Sequence, residues 1–506
     1  MDVHVALSEE VAARPKDRAL APLPVAARLF AELNAFGIPY CHWKSNWHLV
    51  GGLAGETDLD LLVDPDRRDE FEALLARMGI RRVLSPPMKS FPGLEDFLGF
   101  DSEIGGLIHL HVHYRLVLGE QRVKNHHLPV ERWLLEDCRL MAGVKVPRPE
   151  RELVLLWIRA HVKADLRSIL RSLRGKQPHP VPDAIHSELL WLLGQADDRE
   201  VLDALRGSGL ALSAEELASF LERTRADRLS PWSVLKQKRS LVRQMRPYQR
   251  YPTVAGWVRK VEFRARYSRT VRRVWPLRKK VLPSEGVCVA LVGADGSGKT
   301  TLAGDLKRWL DWKLETRWLY FGIARGDMRL KVLRKLRAAV SGDRGRGSPG
   351  GDGTRPERSG GRSVEALEWV YLARRRLGLD RKAHRLRDKG VTLIAERFPL
   401  REFWGMRAPM DGPRLSPDGP GTMYRALARM ERRAYERIDP PDLVLVLRAG
   451  LETLRARKVD LDLETHRGKV EAVDGLAAQG RYRVLDAELP YPELLLEAKR
   501  AIWAIL

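Results

Sequence analysis

Gly293, Gly298, Lys299 and Thr300 complete the pattern G-x-x-x-x-G-K-[ST] within VCVALVGADGSGKTTL, residues 287–302. The spacing suits a phosphate cradle. Successive backbone N–H groups and a helix N-terminus face the phosphates. The lysine reaches the β- and γ-phosphates, and the threonine hydroxyl ligates Mg²⁺. Gly293, Ala294, Asp295, Gly296, Ser297, Gly298, Lys299, Thr300 and Thr301 are therefore the candidate nucleotide-binding residues. Val287, Val289, Leu291 and Val292 supply the buried strand such a loop hangs from, and Lys299, Thr300 and Thr301 open the helix that follows it. A glycine turn without a ligand is the alternative, and the strand–loop–helix context weighs against it.

A second constellation lies in GGLAGETDLDLLVD. Asp58 and Asp60 stand two apart in a run with Leu59, Leu61, Leu62 and Val63, so both point to one face of a strand. Two carboxylates so placed, after a turn with Gly55 and Thr57, can hold Mg²⁺ for phosphoryl or nucleotidyl transfer. A solvated strand edge is the alternative. Farther on, IHLHVHYRLV alternates His109, His111 and His113, which puts three imidazoles on one side of a strand. A three-histidine metal site would need a second element to close it, so polar packing or a phosphate contact is the favoured reading.

Whole-chain properties bound these readings. A length of 506 residues suits about three domains, and 44% hydrophobic content supplies sizeable cores. Cys41, Cys138 and Cys288 are odd in number and far apart, which argues against a disulfide framework and for a reducing compartment. The first residues lack a basic region followed by an apolar run, and no apolar stretch has the length of a membrane span. The expectation is a cytoplasmic protein without a transmembrane segment. A net charge of +23 calls for a polyanionic partner or phosphate substrates. Residues 236–280 hold sixteen Lys or Arg and one acid, Glu262, the densest basic stretch of the chain.

The elements that position these groups follow from periodicity. VAARLFAELNAFG has helical spacing and stops at Gly37; residues 59–63 read as a strand and 71–78 as a helix. From Pro129 to about Pro283 the pattern reads as all-helical, with Ser213 as an N-cap and Trp157 and Trp191 in helix cores. In the basic stretch, Val254, Trp257, Val258 and Val261 share a helical face, with Arg259, Lys260, Arg264 and Arg266 largely elsewhere. A linker helix packing its apolar stripe is favoured. Peripheral contact with an anionic membrane or nucleic acid through residues 236–280 is the alternative. Apolar runs at 287–292, 317–321, 391–395, 443–447 and 482–485 alternate with helical segments at 300–314, 364–389, 423–437, 451–458 and 492–506. That alternation predicts a parallel sheet covered on both faces. Residues 341–363, rich in Gly, Arg and Pro, predict a disordered insert. The fold class is α/β and multidomain: an α+β domain at 20–130, an all-α region at 131–283 and a doubly wound P-loop domain at 284–506.

The loop, VTLIAERFPL, PDLVLVLRAGLETLRARK and RYRVLDAELPYPELLLEA together resemble the thymidylate-kinase-like branch of the P-loop nucleoside monophosphate kinases. The resemblance covers about residues 285–506. It implies that Asp295 faces the nucleoside hydroxyl. Glu396, Arg397 and Phe398 stand where the family carries Asp-Arg-Tyr, so Arg397 would grip the acceptor phosphate, and Glu396 is one methylene longer than the family's Asp. Asp442 begins the next strand, and Asp486 falls where the family often has an Asp-Ala pair. Some members place an arginine inside the loop; this chain has none. The resemblance then moves the charge to a lid with Arg455, Arg457, Lys458, Arg467 and Lys469, of which Arg455, Arg457 and Arg467 are the candidates. MDGPRLSPDGP, with Arg414, is a candidate border of the acceptor site.

The N-terminal domain resembles nucleotidyltransferase-like families with a Lys-containing helix start, a G-x-[ST]-D-x-D strand and a later D-x-H strand. Lys44 and Ser45 match the first element, and Gly55, Thr57, Asp58 and Asp60 the second. In the later strand His111 falls at the third carboxylate position and His113 matches the family's histidine. A histidine there points to a degenerate domain ahead of an active one.

The reading is an ATP- and Mg²⁺-dependent phosphotransferase of the nucleoside monophosphate kinase type, acting on a small nucleotide or other phosphorylated acceptor. Its candidate catalytic residues are Lys299, Glu396, Arg397, Arg455, Arg457 and Arg467. Its candidate metal ligands are Thr300, Asp58 and Asp60. Two rivals stand beside it: a nucleotidyltransferase dependent on Asp58 and Asp60 with a regulatory P-loop half, and a P-loop NTPase acting as a binding module at a polyanionic surface.

Overall fold

The computed structural model describes residues 20–119, 123–163, 172, 179–266, 279–323, 328–341, 359–404, 411–457 and 463–506. The architecture is α/β, and the chain divides into two compact units, Met1–Arg278 and Lys279–Leu506, rather than three parts.

In the first unit, α1 (Pro24–Ala35) starts on a proline, whose missing N–H has no helical partner to lose there. It buries Leu29, Phe30 and Leu33. Then come β1 (Tyr40–His42), α2 (Leu49–Leu53), β2 (Asp58–Val63), α3 (Arg68–Arg77), β3 (Arg81–Val83), β4 (Leu94–Phe100) and β5 (Leu107–His113). The strands form one sheet of order β1-β2-β5-β4-β3. β2 and β5 run parallel and the other pairs antiparallel. Alternation divides the sheet's two faces. Leu59, Leu61, Val63, Ile108, Leu110 and Val112 join α1 and α3 residues in one core. The other face carries Asp58 and Asp60 on β2 and His109, His111 and His113 on β5. It also carries Asp96 on β4, paired in register with His111.

The rest of this unit departs from the all-helical expectation. A hairpin, β6 (Leu116–Leu118) and β7 (His126–Leu128), leads to α4 (Glu131–Glu136). A second hairpin, β8 (Cys138–Met141) and β9 (Val144–Pro147), follows within the stretch read as helical. Its two turn residues, Ala142 and Gly143, both have positive φ, the backbone of a tight hairpin turn. Helices α5 (Pro149–Lys163), α6 (Asp183–Leu193), α7 (Asp198–Gly207), α8 (Ala214–Arg225), α9 (Pro231–Gln244) and α10 (Thr253–Arg266) come next. Ser213 caps α8 by accepting from the Glu216 N–H. Cys41, Trp43 and Leu62 of the sheet share a core with Leu153, Trp157, Leu189 and Phe220 of the helices, so sheet and helices are one unit. On α10, Val254, Val258 and Val261 are exposed, contrary to a packed apolar stripe. Residues 267–278 of the basic stretch, and the side chain of Trp257, lie outside the described set.

The second unit contains β10 (Cys288–Gly293), α11 (Lys299–Leu310), β11 (Thr316–Tyr320), α12 (Met328–Ser341), α13 (Ser359–Arg387), β12 (Thr392–Glu396), α14 (Thr422–Glu436), β13 (Leu443–Arg448), α15 (Leu451–Arg457), α16 (Leu463–Ala478), β14 (Arg483–Asp486) and α17 (Tyr491–Ile505). Its sheet, β11-β12-β10-β13-β14, is parallel throughout. β10 has neighbours reached by crossovers on opposite sides, so a crevice opens at its C-terminal end. The five expected strands fall within about one residue of those observed. α12 and α16 were not foreseen. Of the expected insert at 341–363, Ser341 and residues 359–363 belong to helices, and 342–358 lie outside the described residues. No helix among the described residues is long and apolar enough to cross a membrane.

Candidate functional site

At the C-terminal end of the fully buried β10 the chain turns through Gly296 (φ 92°) and Gly298 (φ 90°) into α11. Side chains rarely tolerate that left-handed backbone. The first N–H groups of α11 have no intrahelical acceptor, and the helix dipole favours an anion there. Lys299 is buried and its Nζ donates to the Ala294 carbonyl at 2.6 Å. Burial pulls its ammonium down to about 8, against an upward pull from Asp295. Thr300 Oγ1 donates to Glu396 Oε1 at 2.7 Å. Glu396, the last residue of β12, pairs in register with Leu291 of β10, which is how a residue 96 positions away meets the loop. The Ser297 hydroxyl is buried with no hydrogen-bond partner among the described residues.

Asp295 is the hub of the loop. Its Oδ1 accepts from Arg397 at 2.8 Å and its Oδ2 from Lys469 at 2.7 Å. Burial raises its carboxyl pKa, but Lys469 and Arg397 outweigh burial and hold it well below the usual carboxylate range. Arg397 has φ 56°, a left-handed conformation costing a non-glycine residue about 1–2 kcal/mol. Its second guanidinium nitrogen lies 3.8 Å from Asp411, which Arg376 contacts at 2.5 Å. Arg376 is buried and also donates to the Phe321 carbonyl and the Tyr435 hydroxyl. Gly293, Asp295, Lys299, Arg397, Phe403, Asp411, Arg414 and Lys469 line one cleft. Arg414, from the candidate acceptor border, thus lines the same cleft as the loop.

The expected lid charges are arranged differently. Arg455 and Arg467 are exposed, and Arg457 donates to the Ala487 carbonyl at 2.9 Å. Lys458 lies outside the described residues. The α16 cation that touches the loop is Lys469, not one of the three candidate arginines. Asp442 accepts from the Cys288 N–H at 2.6 Å and Arg387 at 2.9 Å, a tie at the start of the strands, and lines a second cavity away from the loop. Asp411 lies in MDGPRLSPDGP, the candidate acceptor border, whereas sequence reasoning passed over Arg376, which no motif marks.

On the polar face of the N-terminal sheet, the Lys44 ammonium lies 2.7 Å from Asp60 Oδ1. Ser45 beside it has φ 59°, donates its N–H to Glu188 at 2.9 Å and meets Arg159 through its hydroxyl. His109 bridges two carboxylates, Nδ1 to Asp58 at 2.8 Å and Nε2 to Asp96 at 3.1 Å. His111 Nδ1 meets Asp96 at 2.9 Å, and His113 Nε2 lies 3.8 Å from Asp60. His111 stands on β5 at the position where the resemblance puts a third carboxylate. Asp96, 15 residues earlier on the antiparallel β4, supplies one. Nothing in GLEDFLGF matches the D-x-H pattern, so only strand pairing reveals it.

Charge gathers around Asp60. Burial works against its ionisation, but Lys44, then His113 and His111, hold its carboxyl well below the usual range. Burial, reinforced by Lys44, pulls Lys124 down to about 8. Burial, reinforced by Arg159 and Lys44, pulls Lys163 down to about 7. Burial lowers His111, and His113 well below its ordinary value. Lys44 pairs with this half-buried carboxylate, and the charge of Asp60 in turn supports the ammonium forms of Lys124 and Lys163.

No protein-family model matches the chain. It is similar to YghR of Escherichia coli K12, described as an uncharacterized ATP-binding protein, at 30% identity over 219 residues, 42% of this chain and 86% of YghR. YghR of E. coli O6:H1 gives the same figures. YghS of E. coli K12, described in the same words, is 30% identical over 227 residues, 43% of this chain and 93% of YghS.

Proposed function

This chain belongs to the family of the E. coli proteins YghR and YghS, and from that premise we propose that its P-loop unit binds ATP and transfers the γ-phosphoryl group to a small phosphorylated acceptor. The observation that carries this is the double ion pair on Asp295. It holds two cations, Arg397 and Lys469, over the loop, in the cleft that also holds Lys299. A plain ATP-binding loop needs only its own lysine. A pair of further cations beside it suits a second phosphate-bearing ligand.

The chain's residues divide the work. The loop amides and the α11 N-terminus wrap the ATP phosphates. Lys299 exchanges the Ala294 carbonyl for phosphate oxygens. Arg397 exchanges Asp295 for the acceptor phosphate, and Lys469 offers the charge that no loop arginine supplies. The acceptor phosphate oxygen then attacks the γ-phosphorus as the bond to the β–γ bridging oxygen breaks, and ADP leaves. Thr300 Oγ1 and Glu396 Oε1, 2.7 Å apart, are hard oxygen donors that fit Mg²⁺. When bound there, Mg²⁺ supplies neutralising charge to the phosphates. Thymidylate-kinase-like phosphotransfer is the finer form of this reading, supported by Arg397 directly after Glu396 on β12.

The test is phosphoryl transfer from γ-labelled ATP across nucleoside monophosphates, dTMP included, and phosphosugars. Lys299→Ala and Asp58→Ala chains run beside the wild type. Transfer that survives Lys299→Ala sinks the kinase reading. Transfer of the nucleotidyl group, lost only in Asp58→Ala, would instead assign activity to the N-terminal sheet.

A further inference from the structure

The polar face of the N-terminal sheet holds a donor set that its resemblance does not call for. We propose that Asp60, His111 and His113 form a transition-metal site of the class that takes Zn²⁺, with a coordination position left for an oxygen anion. One ligand atom from each of the three lies within 4.8 Å of the other two. Two elements contribute, β5 with both histidines and β2 with the carboxylate, and parallel pairing places Asp60 directly beside His111. The alternation of β5 alone could not close such a site; β2 closes it.

The hydrogen bonds sort the three imidazoles. His109 has a carboxylate on each nitrogen and is committed to Asp58 and Asp96. His111 uses only Nδ1, on Asp96, which fixes its tautomer and leaves Nε2 its lone pair. A carboxylate behind a ligating imidazole is the usual outer support of a metal-bound histidine. His113 is 1% exposed, and neither ring nitrogen has a hydrogen-bond partner among the described residues. Its ring packs edge-on against Trp43 at 5.0 Å and His111 at 4.8 Å, which fixes its position. Asp60 Oδ1, 3.8 Å from Nε2, is beyond hydrogen-bond reach of this buried ring, and a metal between the two would satisfy both.

The donor set selects the metal. Two imidazole nitrogens and one carboxylate oxygen suit Zn²⁺ and its neighbours, whereas Mg²⁺ prefers an all-oxygen octahedron. Three protein ligands leave a fourth position of the tetrahedron for an outside ligand. Lys44 and His113 both face Oδ1 of Asp60, at 2.7 and 3.8 Å, and a carboxylate oxygen has two lone pairs to share between an ammonium and a metal. The Lys44 ammonium, 2.7 Å from Asp60, favours an oxygen anion as that outside ligand, with phosphate the probe of choice.

The full-length chain, stripped with chelator, is titrated with Co²⁺, which reports geometry through its visible bands. One equivalent should bind with the intense bands of four-coordination. An excess of about a thousand-fold Mg²⁺ should not displace it. Phosphate should shift the bands. His111→Gln and His113→Gln should each lose the bands while keeping the wild-type melting curve, and His384→Ala, in a separate His–Asp group with Asp380 and Asp439, should keep them. If the glutamine variants do not fold, X-ray absorption on the wild-type zinc form decides: two imidazole nitrogens support the site, and an all-oxygen shell overturns it. No binding at one equivalent, displacement by Mg²⁺, or unchanged bands in a folded His113→Gln chain would each overturn it.

Discussion

Replacing Asp295 with Asn removes the charge that holds two cations over the P-loop. Arg397 and Lys469 sit 2.8 and 2.7 Å from its oxygens, with side-chain exposures of 35% and 16%. At an effective dielectric of about 20, a unit pair near 4 Å is worth about 4 kcal/mol. Partial exposure and the hydrogen bond an amide still accepts reduce the loss to about 1–2 kcal/mol per partner. The sum, about 2–4 kcal/mol, should lower the melting temperature of the P-loop unit by roughly 5–10 °C. Differential scanning calorimetry at low salt measures it. Two conditions should close the gap. ATP or inorganic phosphate supplies the negative charge that Asp295 gave. Acid removes it from the wild type: a carboxyl held below its unfolded value stabilises above about pH 4 and loses that stabilisation as pH falls towards the lower folded value. A melting temperature within about 1 °C of wild type at low salt, or a gap that stays constant under acid, would refute the hub role of Asp295.

Three further outcomes follow from the same cleft. Lys299 titrates near 8 in the free protein and phosphate favours its charged form, so ATP affinity should fall above that pH by up to about ten-fold per unit. Calorimetric titration from neutral to alkaline pH should show this fall in wild type and a flat profile in Lys299→Met. Arg397→Lys keeps the charge and loses the fork, so the KM for the acceptor should rise about 10–100-fold while that for ATP stays put, as steady-state kinetics would show. Glu396→Gln weakens the oxygen pair with Thr300 and should raise the Mg²⁺ concentration for half-maximal transfer by roughly 10–100-fold, with an unchanged requirement speaking against Mg²⁺ at that pair.

The P-loop was legible because its parts are contiguous: the amides, the lysine and the hydroxyl fall within residues 293–301. The sheet was legible because buried parallel strands read as unbroken apolar runs. The source of the lid charge was not. Arg455, Arg457 and Arg467 are basic in sequence, but basicity does not say which way a side chain faces on its helix. Lys469 meets Asp295 across 174 residues, and Arg376 meets Asp411 across 35. Contacts of that separation are set by packing, which periodicity encodes only as a face and not as a partner.

The N-terminal sheet shows the same limit with a chemical consequence. Alternation put His109, His111 and His113 on one side, but the strand lying across from them is a matter of register. A one-residue slip of β4 would send Asp96 to the opposite face. In the observed register Asp60, His111 and Asp96 stand in one row across three strands. The carboxylate that the nucleotidyltransferase-like pattern wants on β5 is thus present, one strand over. Its presence does not restore an oxygen cage. Asp58 and Asp96 both hold His109, and Asp60 holds Lys44. A cation bound only through oxygens would have to break those contacts one by one. A cation that accepts imidazole nitrogen meets His113, whose ring nitrogens have no hydrogen bond to give up, and one nitrogen of His111 whose partner on the other side already orients it. The histidines that look like a loss of function in the sequence are, in the folded sheet, the donors least costly to recruit.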